Sequence, residues 1–433
     1  MKYLSRFLRI IQNPKRYAAV FPYRFWGTLL IIKFYRKVVL PYLVRRTRNK
    51  DKINVIFLAM NTDMWRYDGV YRRLYSDPRY SPLIVTAMRN IPEIQQQLVE
   101  QAIMLDFFSK KGYNVMPGLD PETHRWIDLN KLMPDIIFYT QPYDKGIEKS
   151  LEYYNHLNSL ICYTPYSFQL SETAWGWNNN LQQYCWKLFY VGNVHLQACK
   201  RLSRIGAENA AAVGYGLEEE YQECVMDIAE SNRLWRHDTR KRIIWAPHHS
   251  ISTDEVFRSS SFLEIAEFML QLRDEYKDRV IFAFKPHPVL KTKLEKIWGG
   301  DKAEAYYNDW AQSENSFYAQ GDYVQLFAGS DAMIHCSGSF IVEYLYTGKP
   351  VAYVYSKTRK LPGIGPIGDA ALQAHYSVNN ETDMRQFIDN VVLGGNDTKF
   401  QIRQKVAKEY LKSPNGKMFS ENVYESIVEG LRL

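Results

Sequence analysis

Apolar positions along residues 51–433 fall into short continuous runs, and segments with helical spacing separate several of these runs. The stretch from Pro92 to Lys111 has apolar residues at helical spacing and is predicted to be a helix. Strands that alternate with helices are typical of a parallel, doubly wound α/β sheet. The predicted strands of this first series are Ile53–Ala59, Leu83–Thr86, Tyr113–Met116, Asp135–Tyr139 and Leu160–Tyr163.

The same alternation resumes at Arg242, which predicts a second sheet. Its strands are expected at Ile243–Ala246, Val280–Phe284, Tyr323–Leu326, Ala332–His335 and Val351–Tyr355. Helices are expected near 261–277, 303–317 and 339–347, and then over Asp383–Leu393 and Phe400–Leu431.

Two tandem Rossmann-like domains that face a cleft form the GT-B arrangement, which is the α/β fold class we predict. A two-domain dehydrogenase fits less well, because residues 60–65 after the first strand are not a G-x-G-x-x-G loop. A periplasmic binding protein is disfavoured because no secretion signal is evident. The predicted divisions are a basic segment at 1–50, Rossmann-like domains at 51–235 and 236–395, and helices at 396–433 that pack back across the domains.

The first fifty residues differ in charge from the rest of the chain. They contain thirteen Lys or Arg and no Asp or Glu, so the remaining residues have 42 basic against 47 acidic side chains. The longest uncharged run, Phe25 to Ile32, is eight residues, which is too short to span a bilayer core. Basic and bulky apolar residues together predict amphipathic helices that lie on an anionic membrane surface. The alternative is a basic helical hairpin that packs on the protein itself.

The amino-acid composition limits the class of protein and the partners that we expect. The chain has 433 residues, 46% of them hydrophobic, which suits two globular domains. Because the net charge of +8 comes from residues 1–50, we expect no nucleic-acid partner. The five cysteines are scattered without a C-x-x-C pair, which disfavours disulfides and a zinc site and favours a reducing cytosol.

Three predicted strands of the second series end in residues that can bind an anion. The first ends in His248 and His249, the second in Lys285 and His287, and the third in the cluster 337–339. The carboxyl ends of parallel strands meet at the crevice where open α/β sheets bind ligands. The three strand ends therefore predict one phosphate-binding site, with no cofactor and no metal ion.

Individual residues around this crevice have both a structural and a functional interpretation. Ser337 or Ser339 can cap the helix that follows, and Gly338 allows the backbone to approach a ligand, so this turn is either an ordinary cap or an anion site. Glu343, one turn further on, can accept hydrogen bonds from ribose hydroxyls or be a solvated helix residue. Adjacent side chains in extended backbone point oppositely, so at most one of His248 and His249 is expected to face a given ligand atom.

These segments together resemble the CDP-glycerol glycerophosphotransferase family of GT-B enzymes, which build teichoic acids and related phosphopolymers. The resemblance covers roughly residues 240–355. Cys336 replaces the Asp of the family pattern, Gly338 replaces its first Ser, and Ser250 lies where the family often has Arg. Glu343 matches an acidic position but replaces its Asp. The matching residues are Trp245, Ala246, Pro247, Lys285, His287, Pro288, Asp331, Ile334, Ser339, Glu343, Tyr344, Gly348, Lys349 and Pro350.

The resemblance implies a role for each candidate residue. The domain at 236–395 would bind the nucleotide donor and the domain at 51–235 the acceptor. His287 would contact the donor phosphates and stabilise the leaving group, and His248 or His249 would serve as base or phosphate ligand. The cluster 337–339 and Lys285 would bind the diphosphate, with Glu343 on the ribose. In the acceptor domain, Asp68 is a candidate base, although a plain helix cap is the simpler interpretation.

The implied activity is transfer of glycerol phosphate, or a related polyol phosphate, from a CDP-activated donor to a hydroxyl of a lipid-linked or polymeric acceptor. The expected location is the cytoplasmic face of the bacterial plasma membrane, as a peripheral protein held by residues 1–50. Two alternatives stay open. One is a CMP-sugar-dependent sialyl- or Kdo-transferase, although Tyr67-Asp68-Gly69 has only one carboxylate where that class has an acidic motif. The other is a non-catalytic GT-B scaffold of a polysaccharide assembly complex.

Overall fold

The chain forms two compact α/β units. The computed structural model describes residues 24–88, 93–142, 147–170, 174–251, 259–321, 323–358 and 363–432, with side chains described from residue 29 and, after the gap at 171–173, from residue 176. The first unit runs to Gly216 and resumes at Ser413, and the second is Leu217–Lys412. Each unit is built on a parallel sheet with flanking helices, which confirms the predicted GT-B fold class.

The first unit contains a seven-stranded parallel sheet in the order β3-β2-β1-β4-β5-β6-β7. Its strands are β1 Ile53–Ala59, β2 Tyr80–Thr86, β3 Val115–Met116, β4 Ile136–Tyr139, β5 Leu160–Tyr163, β6 Lys187–Tyr190 and β7 Ala210–Ala212. Its helices are Arg24–Phe34, Leu40–Arg48, Asp68–Ser76, Ile94–Lys110, Ala174–Trp177, Asn180–Tyr184, Asn193–Leu202 and the C-terminal Phe419–Arg432. Short 3-10 turns are Leu129–Leu132, Lys149–Leu151, Tyr153–His156 and Pro414–Gly416.

The second unit contains a six-stranded parallel sheet in the order β10-β9-β8-β11-β12-β13. Its strands are β8 Lys241–Ala246, β9 Val280–Phe284, β10 Ser316–Tyr318, β11 Ala332–His335, β12 Val351–Val354 and β13 Tyr376–Val378. The α-helices around it are Gly216–Met226, Ile228–Leu234, Phe262–Glu275, Leu290–Trp298, Gly300–Gln312, Val324–Gly329, Phe340–Glu343, Gly365–Gln373, Glu381–Gln386 and Phe400–Val406. A 3-10 turn at Tyr344–Thr347 and π-helical segments at Phe387–Leu393 and Ala407–Leu411 extend three of them.

The order of the strands indicates where the second sheet has a crevice for a ligand. The chain begins at β8, adds β9 and β10 on one side and β11 to β13 on the other, so the order reverses between β8 and β11. Every residue of β9 and β11 is buried, because helices cover both faces of a parallel sheet. At such a reversal the loops after neighbouring strands diverge and leave space for a ligand.

The bounds of the two units differ from the domain boundaries that were expected from the sequence. The boundary expected after residue 235 lies inside the second unit, because Gln325 Nε2 donates to Ser231 Oγ at 2.7 Å and Trp235 is fully buried. From Ser413 onward the chain belongs to the first unit, where Arg73 Nε donates to Ser420 Oγ at 2.8 Å. Specific polar contacts of this kind leave no periodic signal in a sequence.

One predicted strand is wrong, and four strands were not predicted. Tyr323–Leu326 was expected to be a strand, but Val324–Gly329 forms a helix that buries Val324 and Phe327 one turn apart. An apolar run this short is compatible with the period of a strand and with the period of a helix, so the sequence pattern does not distinguish the two. The packing of the run determines which one forms. The strands β6, β7, β10 and β13 have three or four residues each, too few to show a period.

The described part of the N-terminal basic segment is helical from Arg24 to Arg48, with a π-helical stretch at Tyr35–Val39. Residues 1–23, the first part of the predicted membrane-surface segment at 1–50, are outside the described residues. One face packs into the first unit through residues such as Ile32, Tyr35 and Leu43. Between residue 24 and residue 432, no described helix combines the length and apolar character needed to cross a membrane.

Candidate functional site

The ends of β8, β9 and β11 lie side by side at the reversal of strand order. Beyond β9, His287 N donates to Pro247 O at 3.0 Å, which continues the pairing of β8 with β9. On the other side, His248 N donates to Cys336 Sγ at 3.4 Å. The three sequence segments therefore meet at one crevice, as the parallel arrangement predicts.

Three imidazole rings form a cluster at this crevice. The ring centroids of His249 and His287 are 4.1 Å apart, and those of His248 and His249 are 4.3 Å apart. One nitrogen from each of the three rings lies within 4.8 Å of the others. The side chains of His248 and His249 were expected to point oppositely, so that at most one faces a given ligand atom, but their rings lie side by side. The chain is no longer extended after β8, because Ile251 N donates back to His249 O at 2.8 Å.

Hydrogen bonds fix how each ring is protonated. Val289 N donates to Nδ1 of His287 at 3.2 Å, and Ser250 N donates to Nδ1 of His248 at 3.2 Å. Lys293 Nζ lies 2.8 Å from Nδ1 of His249, where the ammonium is the donor. A neutral imidazole whose Nδ1 accepts a hydrogen bond has its hydrogen on Nε2. The cluster therefore presents N–H donors, which suits an anion.

The spacing of the three rings would also allow a metal ion, but the hydrogen bonds oppose it. A metal-bound imidazole uses a lone-pair nitrogen, and in all three rings Nδ1 already accepts a hydrogen bond. The ammonium of Lys293 would also repel a cation at this distance. The described residues in this cluster thus fit a phosphate better than a metal.

Lys293 is a member of the site that the sequence reasoning did not identify. It lies on the helix Leu290–Trp298, and its Nζ also donates to His249 O at 3.2 Å. Burial lowers the pKa of His248 well below its usual value, and the neighbouring His249, His287 and Lys293 lower it further. His248 is therefore neutral near pH 7. The helix of Lys293 contains several lysines, so the sequence alone gave no reason to select this one.

The loop after β11 is shaped differently from the capped helix that the sequence suggested. Ser339 precedes the helix Phe340–Glu343 but makes no side-chain cap bond, so the capping expectation is wrong for this residue. Its φ and ψ, −63° and −41°, are already helical, whereas a capping residue is usually extended. Gly338 has open space around the position of a Cβ atom, which leaves room for a ligand. The N–H groups of Ile341 and Val342 donate to Gly338 O and Ser339 O, each at 3.4 Å.

A buried histidine pair supports this loop from below. Ser337 N donates to Nδ1 of His335 at 3.2 Å, and Nε2 of His335 lies 3.1 Å from Nε2 of His375. Nδ1 of His375 lies 2.8 Å from Ala371 O and must donate to it. With both rings neutral, Ser337 N–H donates to His335, His335 N–H to His375, and His375 N–H to Ala371, while Ser337 O lies 3.1 Å from Nδ1 of His335 without a hydrogen between them. Both rings are neutral in this pattern, and burial lowers the pKa of both, that of His375 to about 4.

Two predicted donor-binding side chains are buried beside the crevice. Lys285 is 8% exposed, and its Nζ donates to Gly321 O at 2.7 Å. Glu343 is 1% exposed, and its Oε2 accepts a hydrogen bond from Tyr323 at 2.7 Å. Their positions suit a role in shaping the loops, and their expected contacts with diphosphate and ribose stay predictions.

Asp68 belongs to the first unit, at the first turn of the helix Asp68–Ser76. Its Oδ1 accepts from the indole N–H of Trp65 at 2.8 Å, and its Oδ2 forms an ion pair with Lys111. A carboxylate held by both oxygens has little freedom to receive a proton from a substrate. We therefore assign Asp68 to the structure of the first unit.

Comparisons with known proteins support the fold. No family model and no curated protein matches the chain. Among solved structures, the wall teichoic acid polymerase TagF is similar, with a TM-score of 0.58 at 12% identity over 94% of this chain and 98% of that one. S. aureus MnaA, solved with UDP, is similar at a TM-score of 0.53 and 14% identity over 89% and 98%. UDP-GlcNAc 2-epimerase from Neisseria meningitidis, bound to UDP-GlcNAc, gives 0.52 and 12% over 87% and 100%.

Proposed function

We propose that this protein transfers glycerol phosphate, or a related polyol phosphate, from a CDP-activated donor to a hydroxyl group. The observation that supports the donor site is the cluster of His248, His249 and His287 beside Lys293 and the loop after β11. Imidazole N–H groups and one ammonium, with the open space at Gly338, suit the two negative charges of a diphosphate. A TagF variant has been solved after a soak with CDPG, in a chain of similar fold.

In the proposed reaction, the acceptor oxygen forms a bond to the phosphorus that is attached to glycerol. The bond from that phosphorus to the bridging oxygen breaks, and CMP and a proton are released. Phosphoryl transfer needs mainly positioning and charge stabilisation. His287 would donate to the phosphate oxygen that gains charge, and Lys293 would hold the diphosphate near it. For His248 and His249 the hydrogen bonds favour the role of phosphate ligand, because Nδ1 of each ring is already an acceptor.

The acceptor and its location are part of the same proposal. We propose a lipid-linked or polymeric acceptor that binds to the first unit, and a peripheral position on the cytoplasmic face of the bacterial plasma membrane. Support comes from the thirteen basic and no acidic residues in the first fifty. The described helix at Arg24–Phe34 and its continuation also expose Leu30, Val38 and Tyr42, at 66%, 46% and 49%.

A transfer assay tests the activity. Membranes containing the protein are incubated with CDP-glycerol labelled in the glycerol, and label in the lipid and polymer fractions is measured. We expect incorporation by the natural chain and a loss of about a hundredfold or more for His287→Ala, the range for removing a positioned donor. Both proteins are compared by melting temperature, so that unfolding is not mistaken for lost chemistry.

The same assay separates the alternatives. Label incorporated from CMP-sialic acid and not from CDP-glycerol would replace the proposal with a CMP-sugar transferase. A His287→Ala variant that restores polymer formation in cells lacking the protein would indicate a scaffold. Retained incorporation by a folded His287→Ala protein would contradict the assigned role of this ring.

A further inference from the structure

A basic pocket lies in the first unit, away from the candidate donor site. Its volume is about 440 Å³, and one wall is the helix Leu40–Arg48. The other walls come from the chain just before and within β6 and β7 and from the C-terminal helix at Gly430. The lining residues that matter for the charge are Arg36, Arg45, Arg48, Lys187 and Glu208.

The pocket has an excess of positive charge. Four of its lining side chains are basic and one is acidic. The single carboxylate, Glu208, is 3.4 Å from Arg36 and therefore balances that one guanidinium at most. Lys187 is partly buried, and burial lowers its pKa, with a smaller opposing effect from the carboxylate of Glu429. A binding partner with negative charge would relieve both the mutual repulsion and the cost of this burial.

The position of the pocket separates it from the substrate crevices. Lys187 is the first residue of β6, and Ala210 is the first residue of β7. The pocket is thus at the amino ends of these parallel strands, whereas α/β sheets bind their substrates beyond the carboxyl ends. An anion bound here would be neither the nucleotide donor nor an acceptor in the crevice of the first sheet.

The surroundings of the pocket are those of a membrane contact. Leu40, Val44 and Trp186 give it apolar walls beside the basic groups. The same helical segment exposes Leu30, Val38 and Tyr42. Apolar side chains next to basic ones suit the boundary between acyl chains and anionic headgroups. A soluble anion would make no use of the apolar face.

We propose that this pocket binds the phosphodiester headgroup of an anionic membrane lipid. The inference deepens the proposed function, because it rests on the membrane contact proposed above, but it does not depend on the donor. A headgroup phosphate placed among Arg45, Arg48 and Lys187 would accept charge-assisted hydrogen bonds. The apolar residues of the helix would lie against the acyl chains, so the pocket would orient the first unit on the surface.

Vesicle binding by the full chain tests the pocket. Partition is measured by co-sedimentation with phosphatidylcholine vesicles, with and without phosphatidylglycerol. The test variant is Arg45→Gln with Lys187→Gln, and the matched control is Arg125→Gln with Lys131→Gln, two exposed positions of the same unit outside the pocket. Both lose two charges. At about 1 kcal/mol per basic residue at the surface, we expect the pocket variant to bind phosphatidylglycerol vesicles at least about tenfold more weakly than the control.

The outcomes distinguish the pocket from the membrane contact itself. If the natural chain ignores phosphatidylglycerol, the membrane part of the proposed function fails and this inference fails with it. If the natural chain binds but the two double variants weaken equally, only the pocket is rejected.

Inorganic phosphate is the second probe. If it raises the melting temperature of the natural chain but not of the pocket variant, while vesicle binding is equal, the ligand is a soluble phosphate and the lipid assignment is overturned. Melting temperatures without ligand verify that both variants fold.

Discussion

At the scale of single residues, the protonation of the histidines decides what the site can hold. Three histidines that each have a ring nitrogen within 4.8 Å of the others could be taken for a metal centre. The backbone donors Ser250 and Val289 make Nδ1 the acceptor in His248 and His287, so these rings offer N–H groups. In the proposed function, the ammonium of Lys293 is the charged group that holds the diphosphate. Residue types alone do not distinguish these cases, because the tautomer depends on the backbone around each ring.

Lys293 gives the sharpest test at this scale. Replacing it as Lys293→Gln removes the ammonium beside His249, and we expect the affinity for CDP-glycerol to fall about tenfold or more, as for loss of a charged hydrogen bond. The measurement is the Michaelis constant for the donor together with kcat. Lys296→Gln is the matched control, since this exposed lysine lies on the same helix. Equal effects of the two variants would mean that Lys293 contributes only general charge.

At the scale of secondary-structure elements, one hydrogen-bond chain ties the end of β11 to the helix Gly365–Gln373. His335 and His375 occupy its centre and are buried at 0% and 1% exposure. In their neutral forms the two rings link Ser337 N–H to Ala371 O through three hydrogen bonds in succession. Protonation of either ring would place two N–H groups against each other or leave a charge buried, so the link is sensitive to acid.

This link predicts a loss of stability in acid. The pKa of His375 is about 4 in the folded chain, against about 6.5 when unfolded. As the pH falls through this window, the unfolded chain binds the proton first, so His375 contributes a loss of about 3 kcal/mol in the free energy of unfolding. Urea unfolding at a series of pH values should show a smaller acid loss for His375→Gln than for the natural chain. His124→Gln, at an exposed histidine, is the control, and an equal loss in all three proteins would contradict this account.

The elements also show how far the sequence leads. Long apolar runs such as Ile53–Ala59 and Val280–Phe284 were predicted with their correct bounds, because strands buried on both faces are uniformly apolar. The short strand Ala210–Ala212 has no such signal, since alanine has no preference for strands. The site residues at the ends of β8 and β9 follow from the strand prediction. Lys293 and His375 come from other elements and become visible only in the fold.

At the scale of the whole molecule, the first unit is formed by two separate segments of the chain and the second unit by one. The first unit includes the C-terminal helix Phe419–Arg432, which is distant in sequence from the rest of the unit. In this helix, Tyr424 OH donates to Asp77 Oδ2 at 2.8 Å. The second unit is one uninterrupted segment, Leu217–Lys412, and contains all of the candidate donor site. The proposed function gives each unit a separate role. Donor recognition is assigned to the second unit, and acceptor and membrane contacts are assigned to the first.

Calorimetric titration of the full chain with nucleotide donors tests the central claim most directly. The panel is CDP-glycerol, CDP-ribitol, CMP-sialic acid and UDP-GlcNAc, the last because similar folds are found in UDP-GlcNAc 2-epimerases. We predict that CDP-glycerol or CDP-ribitol binds at least about tenfold more tightly than the other two, a difference of about 1.4 kcal/mol. Binding of UDP-GlcNAc with no detectable binding of any cytidylyl compound would contradict the account.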